Sequence, residues 1–386
     1  MEGRGGGVAA PQEFPRFLAL FSGLYGAYGC LSPLLPNVMA ARGLSPGEIG
    51  LVLGTATLVR LVVGPLAGRY ADAHRAARAV LALAATGAGL AALAHLPVSG
   101  FWPVLAAGLA YAVTTAPLAP LADALALSAA RGGAAFAYGR VRGAGSAAFI
   151  AASAATGWLV DAEGLGAALV AGGLLFLATA ALTRAVPEAE TAPAEASLEG
   201  WRALAGNARF RLTVLAAALV IGAHAMHEAF AMILWRGAGI GAGPAGLLWA
   251  ESVAAEVLVF LALGPPTLRR IGPAHALMLA AIAGALRWAV MAQTVAIPWL
   301  MGAQALHGLS FALLHLACVG LIEESVPPSA RATALALYGS VGLGLAGALV
   351  TLAAGPLYGH FGAHAFWAMA LLSLCALPPA LALRAR

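Results

Sequence analysis

"TATLVRLVVGPLAG", residues 55–68, holds a single charged side chain, Arg60, and completes an apolar segment that starts near Pro46. As a helix, residues 46–68 cover about 35 Å at 1.5 Å per residue, enough to cross a hydrocarbon core of about 30 Å. Arginine stays protonated at any ordinary pH, so Arg60 cannot shed its charge inside lipid. A cation at such depth belongs against a central cavity or a partner rather than against acyl chains.

Composition extends that reading to the whole chain. Of 386 residues, 61% are hydrophobic and only 10% charged, with mean hydropathy +0.88; soluble proteins carry about a quarter charged residues. Apolar runs recur at 16–40, 46–68, 77–96, 101–127, 138–160, 164–183, 211–235, 244–264, 274–294, 297–321, 331–355 and 362–383, twelve candidate spans in all. Only helices or closed barrels span lipid, and the short alternating strands of a barrel are absent. The first run is too long for a cleavable signal, and Glu13 near Arg16 does not suit a basic leader. Cys30, Cys318 and Cys375 each fall within a span and lack metal-ligand spacing, so they read as small apolar fillers.

The chain contains no lysine, so orientation rests on arginine. With the N-terminus inside, only Arg42 and Arg236 fall outside, and Arg60 and Arg287 lie within the membrane. All the remaining arginines then flank cytoplasmic segments, which places both termini in the cytoplasm of a bacterial inner (plasma) membrane. This asymmetry accounts for the pI of about 9.5 without any nucleic-acid partner.

The longest polar stretch, "RAVPEAETAPAEASLEGWRALAGNARFR" (184–211), separates spans six and seven. The expected organisation is a cytoplasmic tail (1–15), a six-helix bundle (16–183), a linker (184–210) and a second bundle (211–386). The halves echo each other. Gly64–Pro65 recurs at Gly264–Pro265, Tyr138–Gly139 at Tyr338–Gly339, and Asp123 has its counterpart in Glu323, each pair 200 residues apart. An all-α integral membrane protein of twelve spans in two parallel repeats is the organisation of a major facilitator transporter, with its substrate site between halves near the midplane.

"GRYADAHRAAR" (68–78) resembles that superfamily's conformational loop through Gly68, Asp72 and Arg75, although Ala73 replaces an arginine of the pattern and Arg75 replaces a glycine. "LADALALSAARGGAAFAYGRVRGAGSAAF" (121–149) resembles the lactose permease and phenylpropionate permease branch, whose members are proton symporters. So does the block from "RRIG" (269–272) through Arg287 to "LHGLSFALLH" (306–315). The resemblance implies that Asp123 and Arg142 bind substrate, with Arg140 as neighbour, and that Arg287 and His307 belong to a proton-coupling network. It also implies a carboxylate three residues after His307, where this chain has Ser310.

A serine cannot take over that titration, so the proton must move elsewhere. Glu256 lies near the middle of span eight, where an unpaired carboxylate costs several kcal/mol, and is taken as the proton carrier. "HAMHEAF" (224–230) places His224 and Glu228 four residues apart, able to hydrogen-bond on one helix face. With His227 and Glu251 they are expected to form a polar lining of the outer cavity. No metal is expected, since the H-E-x-x-H order is missing.

Arg60, Arg142 and Arg287 favour an anionic solute, and Trp288, Phe311 and Trp299 offer rings to stack on. Arg60 can meet Asp123, a substrate carboxylate, or both. The expected function is proton-coupled uptake of a small organic solute, an aromatic or other carboxylate, by a monomer working by alternating access. The proton gradient is the energy source and no cofactor is required. The open alternatives are a sugar or nucleoside symporter, a drug or metabolite efflux antiporter, and a transport-inactive receptor. No catalytic signature points to an enzyme.

Overall fold

The computed structural model describes residues 13–131, 136–189 and 204–384. Most of the expected tail and residues 190–203 of the expected linker lie outside the described residues. Every regular element among the described residues is helical. The spans are α1 (Glu13–Ala41), α2 (Pro46–His74), α3 (Ala77–Ala94), α4 (Phe101–Ala130), α5 (Tyr138–Glu163), α6 (Gly166–Ala185), α7 (Ala208–Gly237), α8 (Ala242–Ile271), α9 (Pro273–Gln293) and α10 (Ile297–Ser325). The last apolar stretch, Pro328–Arg384, has 57 residues, far too many for one crossing. It breaks at Gly362, whose φ of +55° no side-chain-bearing residue adopts readily. The break gives α11 (331–361) and α12 (366–384), and hence twelve passes, so the start of α1 at Glu13 and the end of α12 at Arg384 lie on one face of the bundle.

Helix ends follow local chemistry. Ser45 caps α2 in a reciprocal pair with Glu48, the Ser45 amide donating to Glu48 Oε2 at 2.8 Å and the Glu48 amide to Ser45 Oγ at 3.4 Å. Asn207 caps α7 through the Phe210 amide (3.1 Å), and its Nδ2 donates to the Ser325 carbonyl at the end of α10 (2.8 Å). The segment expected as a loop at 68–78 is instead helical through His74, so Gly68 and Asp72 lie inside α2. The turn comes at Arg75, with φ +50°. Arg75 stands where the superfamily's pattern has glycine, so an arginine holds the left-handed conformation that glycine adopts without steric cost.

Leucines and tryptophans such as Leu83, Leu261 and Trp102 are exposed on the outside of the bundle, where lipid replaces water as the surrounding medium. Inside, the two halves meet along α2 with α11 and α5 with α8. At the face opposite the termini they approach to backbone contact: a Cβ on Gly50 would sit 2.8 Å from Gly355 Cα. Asp161, near the end of α5, accepts from the Ala242 and Gly243 amides at the start of α8, both at 2.7 Å, and Arg236 lies 3.5 Å away. The Asn37 amide adds a bond to the Met232 carbonyl at 3.4 Å. The end of the bundle away from the termini is therefore closed by direct links between the halves.

Candidate functional site

A cavity of about 500 Å³ lies between the halves at mid-depth, within the size range of small-molecule sites. The first half contributes Thr57 and Arg60 from α2 and Tyr111 from α4; the second contributes Glu228 and His224 from α7, Glu256 from α8, and His307 and Phe311 from α10. Arg60 is held by its Nε, which donates to Thr115 Oγ1 at 3.4 Å. Among the described residues it forms no ion pair with Asp123, so that candidate pairing is not made.

The second-half wall is organised by Arg287, which is fully buried. Its Nη1 contacts His307 Nδ1 at 2.8 Å, its Nη2 donates to Gln304 Oε1 at 3.0 Å, and its guanidinium lies 4.4 Å from the Trp288 ring centre. Arginine can only donate, which fixes the protons around it. His307 Nδ1 must accept, so its proton sits on Nε2, 3.5 Å from Glu256 Oε2. Gln304 must present its oxygen to Arg287, and the same oxygen lies 3.1 Å from His227 Nε2, which therefore donates.

Packing explains why these groups meet. α10 widens into π turns over Gly308–Leu313, directly after His307, and α8 does so over Val259–Leu263, shortly after Glu256. Between them Gly308 packs on α8 so tightly that a Cβ there would sit 2.5 Å from the Ala255 carbonyl oxygen. The missing side chain lets α10 come close enough to set His307 beside Glu256.

Several expectations need correcting. His224 does not bond Glu228: its Nδ1 faces the Val220 carbonyl at 2.9 Å and its Nε2 faces Ser310 Oγ at 3.1 Å, leaving no ring nitrogen free. Ser310 thus serves as the partner of a histidine from another helix. His227 is sealed among Trp235, Trp249 and Trp288 rather than lining the cavity. Glu251 is not among the cavity-lining residues, and neither are Arg287, Asp123, Arg140 and Arg142.

Asp123 sits beside Tyr138 and Arg142. Arg142 covers the Tyr25 ring at 4.3 Å and donates to Ser146 Oγ at 3.3 Å, while Arg140 lies over Phe14 at 5.4 Å. Asp123 and Arg142 thus sit together outside the cavity lining, with the Arg142 charge also reaching Glu256, while Arg140 stands apart from them against Phe14. Of the three proposed stacking aromatics, Phe311 reaches the cavity; Trp288 is buried behind it and Trp299 points outward, 65% exposed. Gln304 was not foreseen. It lies three residues before His307, one turn away on the same face, and that spacing was the available signal.

The sequence model of the MFS_1 like family matches residues 18–369. The chain belongs to that family. It is 34% identical over 369 residues to the probable 3-phenylpropionic acid transporter of Escherichia coli (strain K12), covering 94% of this chain and 96% of the relative. It is 28% identical over 356 residues to the maltose permease of Geobacillus stearothermophilus, covering 91% and 89%. Among solved structures, the nucleoside transporter NupG superposes with a TM-score of 0.83 at 18% identity, covering 97% of this chain and 98% of that one. A D-xylose-proton symporter superposes with a TM-score of 0.65, also at 18% identity, covering 95% and 96%. This family member is therefore a multi-pass membrane transporter of small-molecule solutes and not an enzyme. Among the described residues no group of three or more metal-binding side chains occurs.

Proposed function

We propose that this protein is a proton-coupled importer of a small organic anion, an aromatic carboxylate, working by alternating access as a monomer in a bacterial inner membrane. The observation that carries this reading is the two-sided cavity. A cation, Arg60, lines it from the first half, and the Glu256–His307–Arg287 series lines or backs it from the second. Arg60 receives the carboxylate of the solute, with Phe311 available to its ring. Glu256 takes up the proton, and His307 and Arg287 adjust its charge. Arg142, Asp123 and Arg140 act later, as the solute passes toward the face bearing the termini.

The proposed halves, 16–183 and 211–386, rock about this site, joined by 184–210, with the segment of Gly68, Asp72 and Arg75 closing in one access state. If both termini are cytoplasmic, as the arginine distribution supports, the sealed end is periplasmic and the conformation faces inward. Similarity to the phenylpropionic acid transporter supports the aromatic acid. The retained Asp123 and the similarity to maltose permease favour a sugar as second reading.

A growth and uptake screen on aromatic acids against sugars separates the two. Saturable uptake of 3-phenylpropionate, inhibited by other aryl carboxylates and unaffected by maltose, is expected. Uptake of maltose alone would contradict the anion reading.

A further inference from the structure

Two carboxyl groups of the second half open onto the cavity, and they face histidines in opposite hydrogen-bonding states. The fixed donor is Arg287. Because it occupies His307 Nδ1, the His307 N–H points toward Glu256 Oε2 at 3.5 Å. Because it also fixes the oxygen of Gln304, His227 donates through Nε2 and keeps a bare Nδ1. That nitrogen is buried and has no hydrogen-bond partner, and Glu228 Oε1 lies 3.8 Å from it. An ionised carboxylate can accept from His307 as it stands. A lone pair facing a carboxylate is matched only when a proton lies between them. The Arg287 cation, sharing Gln304 with His227, opposes a second positive charge on the ring, so the proton stays on the carboxyl.

We infer that Glu228 is a second proton-carrying carboxyl of the transport cycle, with His227 Nδ1 as the acceptor that holds its acid form. The inference rests on the proton-coupled reading above and adds a site to it. The position of Glu228 suits such a role, since its side chain is 58% exposed and lines the cavity, while His227 behind it is 1% exposed. A proton from cavity water binds Glu228 Oε1, and the resulting O–H turns to His227 Nδ1. On release the proton returns to water at the other side of the membrane, and no other bond changes.

The charged and titratable groups around Glu228 are His224 and His227 on its own helix, Glu256 on α8, Arg287 on α9, His307 on α10 and Arg60 on α2 across the cavity. α11 contributes the uncharged Gly347 and Thr351. Arg287 links the two carboxyls, through His307 to one and through Gln304 and His227 to the other.

The test is pH-difference infrared spectroscopy of the lipid-reconstituted protein, which reads protonated carboxyl stretches without requiring a known solute. Glu228→Gln is expected to abolish one such band and Glu256→Gln a different one. Glu228→Asp should shift the first band, and it serves as the decisive variant if Glu228→Gln does not fold. His227→Gln should shift the Glu228 band and leave the Glu256 band in place, which a merely structural histidine would not do. If Glu256→Gln removes a band while Glu228→Gln and Glu228→Asp leave the spectrum unchanged, this inference is wrong and the Glu256 reading stands. If neither glutamate contributes a band, both readings fall.

Discussion

Arg287 shows how one residue sets the protons of a whole site. Among the described residues it forms no ion pair, and its charge is accommodated by a histidine nitrogen, an amide oxygen and an indole face. Removing the amide oxygen leaves Arg287 Nη2 and His227 Nε2 without an acceptor, and each buried orphan costs about 1–3 kcal/mol. Gln304→Leu should therefore lower stability by a few kcal/mol, seen as a drop in melting temperature. Arg60 is the reverse case, a cavity residue with one weak bond to Thr115. Arg60→Ala should cut uptake at least about tenfold, which corresponds to about 1.4 kcal/mol, and leave the melting temperature nearly unchanged; equal losses in both would make Arg60 structural. Arg60 and Glu256 stand out in the sequence because charge is rare in apolar spans, and Arg287 and His307 through the resemblance to the permease branch; the structure brings the last three into one series. Partner choice was not. Helical spacing puts Glu228 within reach of His224, but Ser310 from α10 takes the nitrogen, and no spacing rule within one helix reveals a competitor from another.

At the scale of elements, the closed end depends on Asp161. Its carboxylate satisfies two amides at the start of α8, as a helix cap does, but it belongs to a helix of the other half. The link exists only while the halves are together at that end. Losing such a cap costs about 1 kcal/mol, so Asp161→Ala should shift the population about fivefold toward opening there. Spin-label distances between the Gly359 and Ala41 positions in lipid would report it, and unchanged distances would remove Asp161 from the closure. The turn after α2 gives a second case. An arginine in the left-handed region costs about 1–2 kcal/mol, partly offset by glycine's larger loss of chain freedom. Arg75→Gly should thus raise stability slightly, by at most about 1 kcal/mol, measurable by thermal unfolding. Span number was readable from apolar runs alone. Helix ends were not: α2 continues to His74 because nothing between Gly68 and His74 breaks a helix.

For the whole molecule, twelve passes and a cavity between the halves are the organisation that hydrophobic length and repetition predict, and the structure has both. What sequence could not fix is how charge is balanced across the cavity, since that depends on which side chains the two halves bring face to face. Charge balance has a measurable consequence. A monocarboxylate moving with one proton carries no net charge; moving with two, as Glu228 and Glu256 together imply, it carries one positive charge inward. Each such charge gains about 2.3 kcal/mol per 100 mV of membrane potential. An inside-negative potassium diffusion potential should raise 3-phenylpropionate accumulation in the wild type and leave Glu228→Gln unaffected.

The central claim, that solute entry is tied to a proton carried by Glu256, is tested most directly in proteoliposomes with a pH electrode outside. Adding 3-phenylpropionate to wild-type vesicles should alkalinise the medium as proton and solute enter together. Glu256→Gln should abolish that alkalinisation while still exchanging labelled for unlabelled solute. Alkalinisation of wild-type size in Glu256→Gln would contradict the account.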